Sequence, residues 1–177
     1  MKHIILLSTI LAGALTVAAN ASPIAFSFTS SGLSASGTLD VVGNQAISGT
    51  GTINGTSLSG PETLTLVTLS TPLVHDLGGG GLSYRFGGGT DLIGDTFINP
   101  NAIPPIDGGG PVFIVGGPGH NGFNVFSNSA TSFTAFLVGD AIFEGHDGSF
   151  SALSVPEPFS VGLLGVGLLG LAFVRRK

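Results

Sequence analysis

His75-Asp76 and Glu144-x-His146-Asp147 each set an imidazole beside a carboxylate, the pairing that general acid–base chemistry draws on. Such a pair turns catalytic when a nucleophile is held within hydrogen-bond reach of the imidazole. No Gly-x-Ser-x-Gly elbow accompanies either pair. The chain has no cysteine, which removes a thiolate nucleophile, a thiolate metal site and a disulfide framework together. A zinc site calls for three ligands at suitable spacing, whereas His75, His120 and His146 stand singly along the chain. Both pairs are therefore expected as polar residues in exposed turns. No catalytic residue is assigned, and the chain is not expected to be an enzyme.

Hard-cation chemistry is the next candidate. Gly87-Gly88-Gly89-Thr90-Asp91-Leu92-Ile93 matches part of a glycine-rich repeat that binds calcium through turn carbonyls and an Asp carboxylate. It is a single incomplete copy of a motif that works by stacking several, so a glycine-rich turn with an exposed Asp is the plainer expectation. Asp91, Asp95 and Asp107 are the residues that could meet around Ca2+; no other metal or cofactor is expected. Thr50-x-Thr52 and Thr63-x-Thr65 have the local form of a threonine ladder used against ice, but two unregistered instances make no regular array. Carbohydrate binding would have to rest on Phe, because Trp is absent and Tyr84 is the lone tyrosine. The glycine runs lack a following Gly-Lys-Ser/Thr and are not phosphate loops. With Lys+Arg totalling 5, a basic face that reads nucleic-acid phosphates is excluded.

Composition shows what must position these residues. The chain has 177 residues, of which 30 are Gly and 8% are charged, against roughly 25% charged in ordinary globular domains. Mean hydropathy is nevertheless +0.54, so this is not a charged disordered chain. Lys2, Arg175, Arg176 and Lys177 lie at the two ends, leaving residues 22–154 with Arg85 as their lone cation. Against it stand Asp40, Glu62, Asp76, Asp91, Asp95, Asp107, Asp140, Glu144 and Asp147, a net charge of about −8 for that stretch.

The ends read as addresses. Met1-Lys2-His3 is a basic start, residues 4–17 are an apolar run, and Ala18-Ala19-Asn20-Ala21 closes it with small residues. This is the pattern of a secretory signal peptide over residues 1–21, recognised by the Sec machinery and signal peptidase. Small side chains at Ala19 and Ala21 favour cleavage after Ala21, with the bond after Ala19 as the alternative. At the other end, Val155-Pro156-Glu157-Pro158 precedes an apolar segment over 159–174, followed by Arg175-Arg176-Lys177. As a helix, 16 residues span about 24 Å, short of a roughly 30 Å hydrocarbon core but able to cross a locally thinned bilayer. Three cations directly after it each cost about 2.5–3.5 kcal/mol at the bilayer centre, so they stop translocation. The expected topology is domain outside, last three residues inside. Pro156 and Pro158 fix φ and push the residues before them into extended conformations, the backbone form that proteases and transpeptidases grip. Glu157, just before the helix, complements the positive end of its dipole.

Pro156-Glu157-Pro158, the short Gly/Leu-rich hydrophobic stretch and the Arg175-Arg176-Lys177 cluster together resemble the bacterial PEP-CTERM sorting signal, over about residues 154–177. The resemblance implies recognition by exosortase, a membrane-embedded cysteine transpeptidase. It implies Sec export, an inner-membrane-anchored precursor and processing near Pro156–Pro158. Delivery to the cell surface or an extracellular exopolysaccharide (biofilm) matrix is then expected. The nucleophile in that step belongs to the exosortase.

Between the ends, periodicity is two rather than 3.6. Ile24, Phe26 and Phe28 alternate with small or polar residues, and further strands are expected at 33–42, 46–53, 62–70, 82–86, 91–98, 112–115, 123–127, 132–137, 140–144 and 149–155. Gly43-Asn44, Asn54-Gly55, Ser59-Gly60-Pro61, Gly139-Asp140 and Asp147-Gly148 are the turn signals between them. Residues 77–119 carry 14 of the 30 glycines and read as long loops between short strands. The expected fold is all-β, an antiparallel β-sandwich or jelly roll over residues 22–154, followed by a single C-terminal transmembrane helix. Eleven of the 13 Phe fall in this domain, enough with Leu, Ile and Val to fill one core.

Overall fold

The computed structural model describes residues 21–79, 81–86, 91–116, 121–139 and 143–155. Its strands are β1 (Ser22–Ser30), β2 (Leu33–Val42), β3 (Gln45–Gly55), β4 (Glu62–Leu66), β5 (Val74–Gly78), β6 (Gly81–Arg85), β7 (Asp91–Asp95), β8 (Val112–Val115), β9 (Asn121–Ser127), β10 (Phe133–Gly139) and β11 (Phe143–Ser154). Eight of them close a barrel in the order β1-β11-β10-β9-β8-β4-β3-β2, and β5-β6-β7 form a separate three-stranded sheet. Each barrel pair is antiparallel, including β1 with β11, and an even strand number lets such pairing close without a parallel seam.

The all-β expectation holds, but the two facing sheets of a sandwich do not form. A single sheet instead curls until its first and last strands meet, with Ile24 opposite Ser154 and Ser30 opposite Gly148. Curling that tightly needs missing side chains. Gly37 and Gly51 face each other across β2 and β3, and a Cβ on Gly37 would lie 2.8 Å from the Phe26 ring. The expected Asp147-Gly148 turn is also absent, because β11 runs unbroken through it. Gly148 is where β11 changes from pairing with Phe133 of β10 to pairing with Ser30 of β1. A Cβ there would meet the Phe28 ring at 2.8 Å, so this glycine serves a close approach rather than a bend. Val74–Gly78, which includes His75-Asp76, is a strand rather than the expected turn.

Alternation decides what faces inward. Ile24, Phe26 and Phe28 of β1, Leu33, Ala35, Leu39 and Val41 of β2, and Phe133, Ala135 and Leu137 of β10 are all buried in one cluster. Phe26 stacks on Phe113 (ring centroids 5.2 Å) and Phe113 tilts against Phe123 at 6.0 Å, so aromatic rings fill the lumen. Serines and threonines dominate the outer face of β1 to β4. An apolar interior under a hydroxyl-rich exterior is the inverse of a membrane-spanning barrel. The small sheet lies outside the barrel wall, where Leu82, Tyr84, Phe86 and Leu92 pack with Val67, Val112 and Val138 in a second cluster. No helix among the described residues is long and apolar enough to cross a membrane, and the expected span over 159–174 lies outside them.

Candidate functional site

Glu144 and His146 share one face of β11 because a strand repeats every two residues. His146 Nε2 lies 3.1 Å from Glu144 Oε2, and the Ser57 hydroxyl donates to Glu144 Oε1. The bond from Ser57, then that from His146, hold the Glu144 carboxyl below its usual range. A hydrolytic triad needs the imidazole between hydroxyl and acid, whereas here the acid stands between hydroxyl and imidazole. The arrangement pins the β3–β4 connection to β11 and does not activate Ser57. Asp147 points the other way and accepts from Thr134 at 2.5 Å. His75 is exposed on β5, and Asp76 caps the Gly78 amide at 2.7 Å.

The three calcium candidates do not assemble. Asp91 opens β7 and Asp95 closes it, about 13 Å apart along the strand. Arg85 sits opposite Asp91 in the neighbouring strand and donates twice to it, Nε to Oδ1 at 2.8 Å and an Nη to Oδ2 at 3.0 Å. That bond holds the Asp91 carboxyl below the ordinary range and raises the Arg85 guanidinium. Asp107, by contrast, does reach Asp95. Asp107 Oδ1 accepts from the amides of Gly109 and Gly110 at 2.9 and 3.2 Å, and Asp95 Oδ1 accepts from Phe97 at 2.8 Å. Burial pushes the Asp95 carboxyl up to about 6, against the pull of the Phe97 amide and with help from the facing Asp107 carboxyl. Among the described residues, no three His, Cys, Asp or Glu side chains cluster as metal ligands do.

One polar residue that organises the fold is not signalled by any motif. Asn124, 2% exposed, is the buried polar side chain among the described residues and faces outward from β9 beneath the Gly109–Pro111 segment. Its Nδ2 donates to the carbonyls of Gly109, Gly110 and Pro111 at 3.1, 3.2 and 3.1 Å. Its one local signal is its place in the strand Phe-Asn-Val-Phe, a polar residue amid large apolar ones. The threonine pairs are also better ordered than their spacing in sequence suggests. Thr50 is the cross-strand partner of Thr65 and Thr52 that of Thr63, and the second rank continues through Ser36 and Ser27 to Ser151. Ser27 and Ser151 hydroxyls lie 2.9 Å apart within it.

On the opposite flank, Phe126, Phe136 and Phe143 form an outer row, with centroids 5.5 and 5.7 Å apart. Phe143 is 72% exposed, and Phe136 lies over Gly145.

The termini of the domain meet at one pole of the barrel. Ser22 pairs with Val41 and Ile24 with Ser154, and the Val155 amide donates to the Pro23 carbonyl at 2.9 Å. A cleft of about 430 Å3 opens here, lined by Ser22, Val42, Asn44, Asn99, Asn101 and Ser154 among others. Of the expected processing residues, Ala21 is the first described residue, at the foot of β1, and Val155 the last, at the end of β11. Ala19, Pro156, Glu157, Pro158, Arg175, Arg176 and Lys177 lie outside the described residues.

Comparison with protein families identifies the stretch that leaves this pole. Residues 154–177 are a PEP-CTERM protein-sorting motif. The motif implies an exported, membrane-anchored precursor that exosortase processes. No curated protein and no solved structure matches the chain. The PEP-CTERM motif starts on the last residue of β11, with no linker between the closed barrel and the sorting signal.

Proposed function

We propose that this chain is a non-enzymatic structural protein of the cell surface or exopolysaccharide (biofilm) matrix. In this reading a signal peptide over residues 1–21 exports the chain, and the Arg175-Arg176-Lys177 stop holds it in the inner membrane. Exosortase then grips the extended Pro156-Glu157-Pro158 and releases or transfers the barrel. The observation that carries the reading is the PEP-CTERM motif joined directly to a closed barrel whose lumen is filled with aromatic side chains. An acidic, lysine-free domain suits a hydrated, anionic extracellular setting, where like charge keeps it soluble. Replacing Glu157 by Ala is expected to leave full-length precursor in the inner membrane. Unchanged C-terminal processing by mass spectrometry would sink the sorting role of that residue.

A second reading, a polysaccharide-binding module, is favoured by the outward row of Phe126, Phe136 and Phe143 beside the Thr134–Asp147 pair. Apolar faces flanked by hydrogen-bonding groups are what sugar rings dock on. Phe143→Ala should then abolish retention on the host's exopolysaccharide without lowering stability. A calcium-dependent version of this reading predicts a higher melting temperature with Ca2+, through Asp95 and Asp107. An unchanged melt removes it.

A further inference from the structure

The tail emerges from one pole of the barrel and leaves it almost no slack. Val155 to Pro158 are the residues between Ser154 and the apolar segment at 159. Even fully extended, four residues reach about 12–14 Å, and the headgroup layer of one leaflet already takes up roughly 5–7 Å. A barrel tethered this closely cannot tumble freely above the bilayer. It must present the pole that carries Ser154.

That pole differs from the rest of the domain. The domain carries about −8 and is repelled by anionic lipid as a whole. Yet the cleft at this pole, from Ser22 and Val42 across Asn99 and Asn101 to Ser154, has no ionisable side chain in its lining. Asp40, the acid nearest in sequence, faces outward on the flank of β2 and accepts from Ser48 at 2.5 Å. Large apolar side chains are exposed around the same pole: Val42 at 40%, Leu153 at 67%, Val155 at 38% and Ile103 at 81%. Ile103 rides on the loop that packs on the β2–β3 turn through Ile98 N to Asn44 O at 2.9 Å, and Asn99 N to Pro105 O at 2.8 Å closes that loop on itself. Cleavage after Ala21 would add the Ser22 ammonium to this rim, a cation facing anionic headgroups.

We propose that the rim of this cleft, with Val42 and Ile103 foremost, rests on the phospholipid headgroups of the membrane that holds the precursor's own tail. The proposal rests on the reading that residues 159–174 span the bilayer. While anchored, the barrel stands on its tail pole, with the β1–β2 turn at Ser31 pointing away from the membrane. About 26 Å of β1 separate the two levels. Processing removes the tether, and the acidic charge then favours departure from the surface.

The absence of Trp makes a direct test available. Residues 22–177 are reconstituted into vesicles of phosphatidylethanolamine and phosphatidylglycerol containing a dansyl-labelled headgroup, with one tryptophan introduced as Ile103→Trp, Val42→Trp or Ser31→Trp. Energy transfer to dansyl is expected to be strong from the Ile103→Trp and Val42→Trp proteins and weak from Ser31→Trp. A flexible insert of about 20 residues between Val155 and Pro156, with a root-mean-square span of about 25 Å, should erase the difference. Equal transfer from all three sites in protein that floats with the vesicles overturns the proposal while leaving the anchor intact. A difference that survives the insert overturns the short-tether argument. Protein that fails to float with the vesicles overturns the anchor reading and the proposal with it.

Discussion

Burial of Asp95, reinforced by the facing Asp107, makes stability fall as pH rises through the weakly acidic range. Asp95 titrates near 6 in the folded protein because it is half-buried and faces another carboxyl, whereas an unfolded Asp titrates near 3.9. A group whose folded pKa is raised stabilises fully below its unfolded value, and that stabilisation is lost as pH climbs through the folded value. The window is therefore about pH 4 to 6.5. Raising the carboxyl from its unfolded value to about 6 corresponds to about 3 kcal/mol, and solvent screening of a half-exposed group reduces this to about 1–1.5 kcal/mol. Asp91 and Glu144 act oppositely, because their folded values are depressed and their stabilisation is lost only in more acidic solution. Asp95→Asn removes the ionisation while keeping an oxygen for the Phe97 amide and placing a donor toward Asp107. Urea unfolding of residues 22–155 between pH 4.5 and 7 should show wild-type stability declining relative to Asp95→Asn by that amount. Comparing the two proteins cancels the repulsion among the other acids. Parallel pH profiles for the two proteins would refute the reasoning.

Three further substitutions probe the fold. Gly37→Ala should destabilise by about 1–3 kcal/mol, since its methyl would lie 2.8 Å from the Phe26 ring and 2.6 Å from the Gly51 Cα; thermal melts read the loss. Phe113→Ala empties the centre of the aromatic stack between Phe26 and Phe123 and should cost about 3–5 kcal/mol by urea titration. Leu73, 69% exposed with φ at 68°, holds a left-handed conformation that disfavours a bulky side chain, so Leu73→Asn should stabilise by up to about 1 kcal/mol. An unchanged or lowered melting temperature for Leu73→Asn would count against strain at that position.

Strand content is legible in the sequence because alternation is local. The boundaries of β2 follow from its alternation and those of β8 from a short apolar run between Pro111 and Gly116, and Ile24, Phe26 and Phe28 face inward as their spacing requires. The sandwich expectation fails at the β1–β11 pairing. Nothing in residues 24–29 or 149–154 signals a partner some 120 positions away, and closure depends on both edges of the sheet being free at once. Gly148 misleads for a related reason. A glycine required by a neighbouring strand's approach has the same letter as one required by a turn.

The sorting address is wholly a property of the sequence. Pro156-Glu157-Pro158, the apolar run and the terminal cations are contiguous in the chain, so no folding is needed to bring them together. Charge distribution is likewise a matter of sequence, with four of the five cations at the ends and nine of the ten acids in the domain. The tertiary structure alone decided which acids meet, pairing Asp95 with Asp107 and giving Asp91 to Arg85. It also aligned Thr50 with Thr65, and it brought Ser22 and Ser154, where the sorting motif begins, to one cleft lined without ionisable side chains. Each of these depends on how separate strands and loops are set against one another. Register is set by packing the whole barrel around its aromatic core, not by any single stretch of residues.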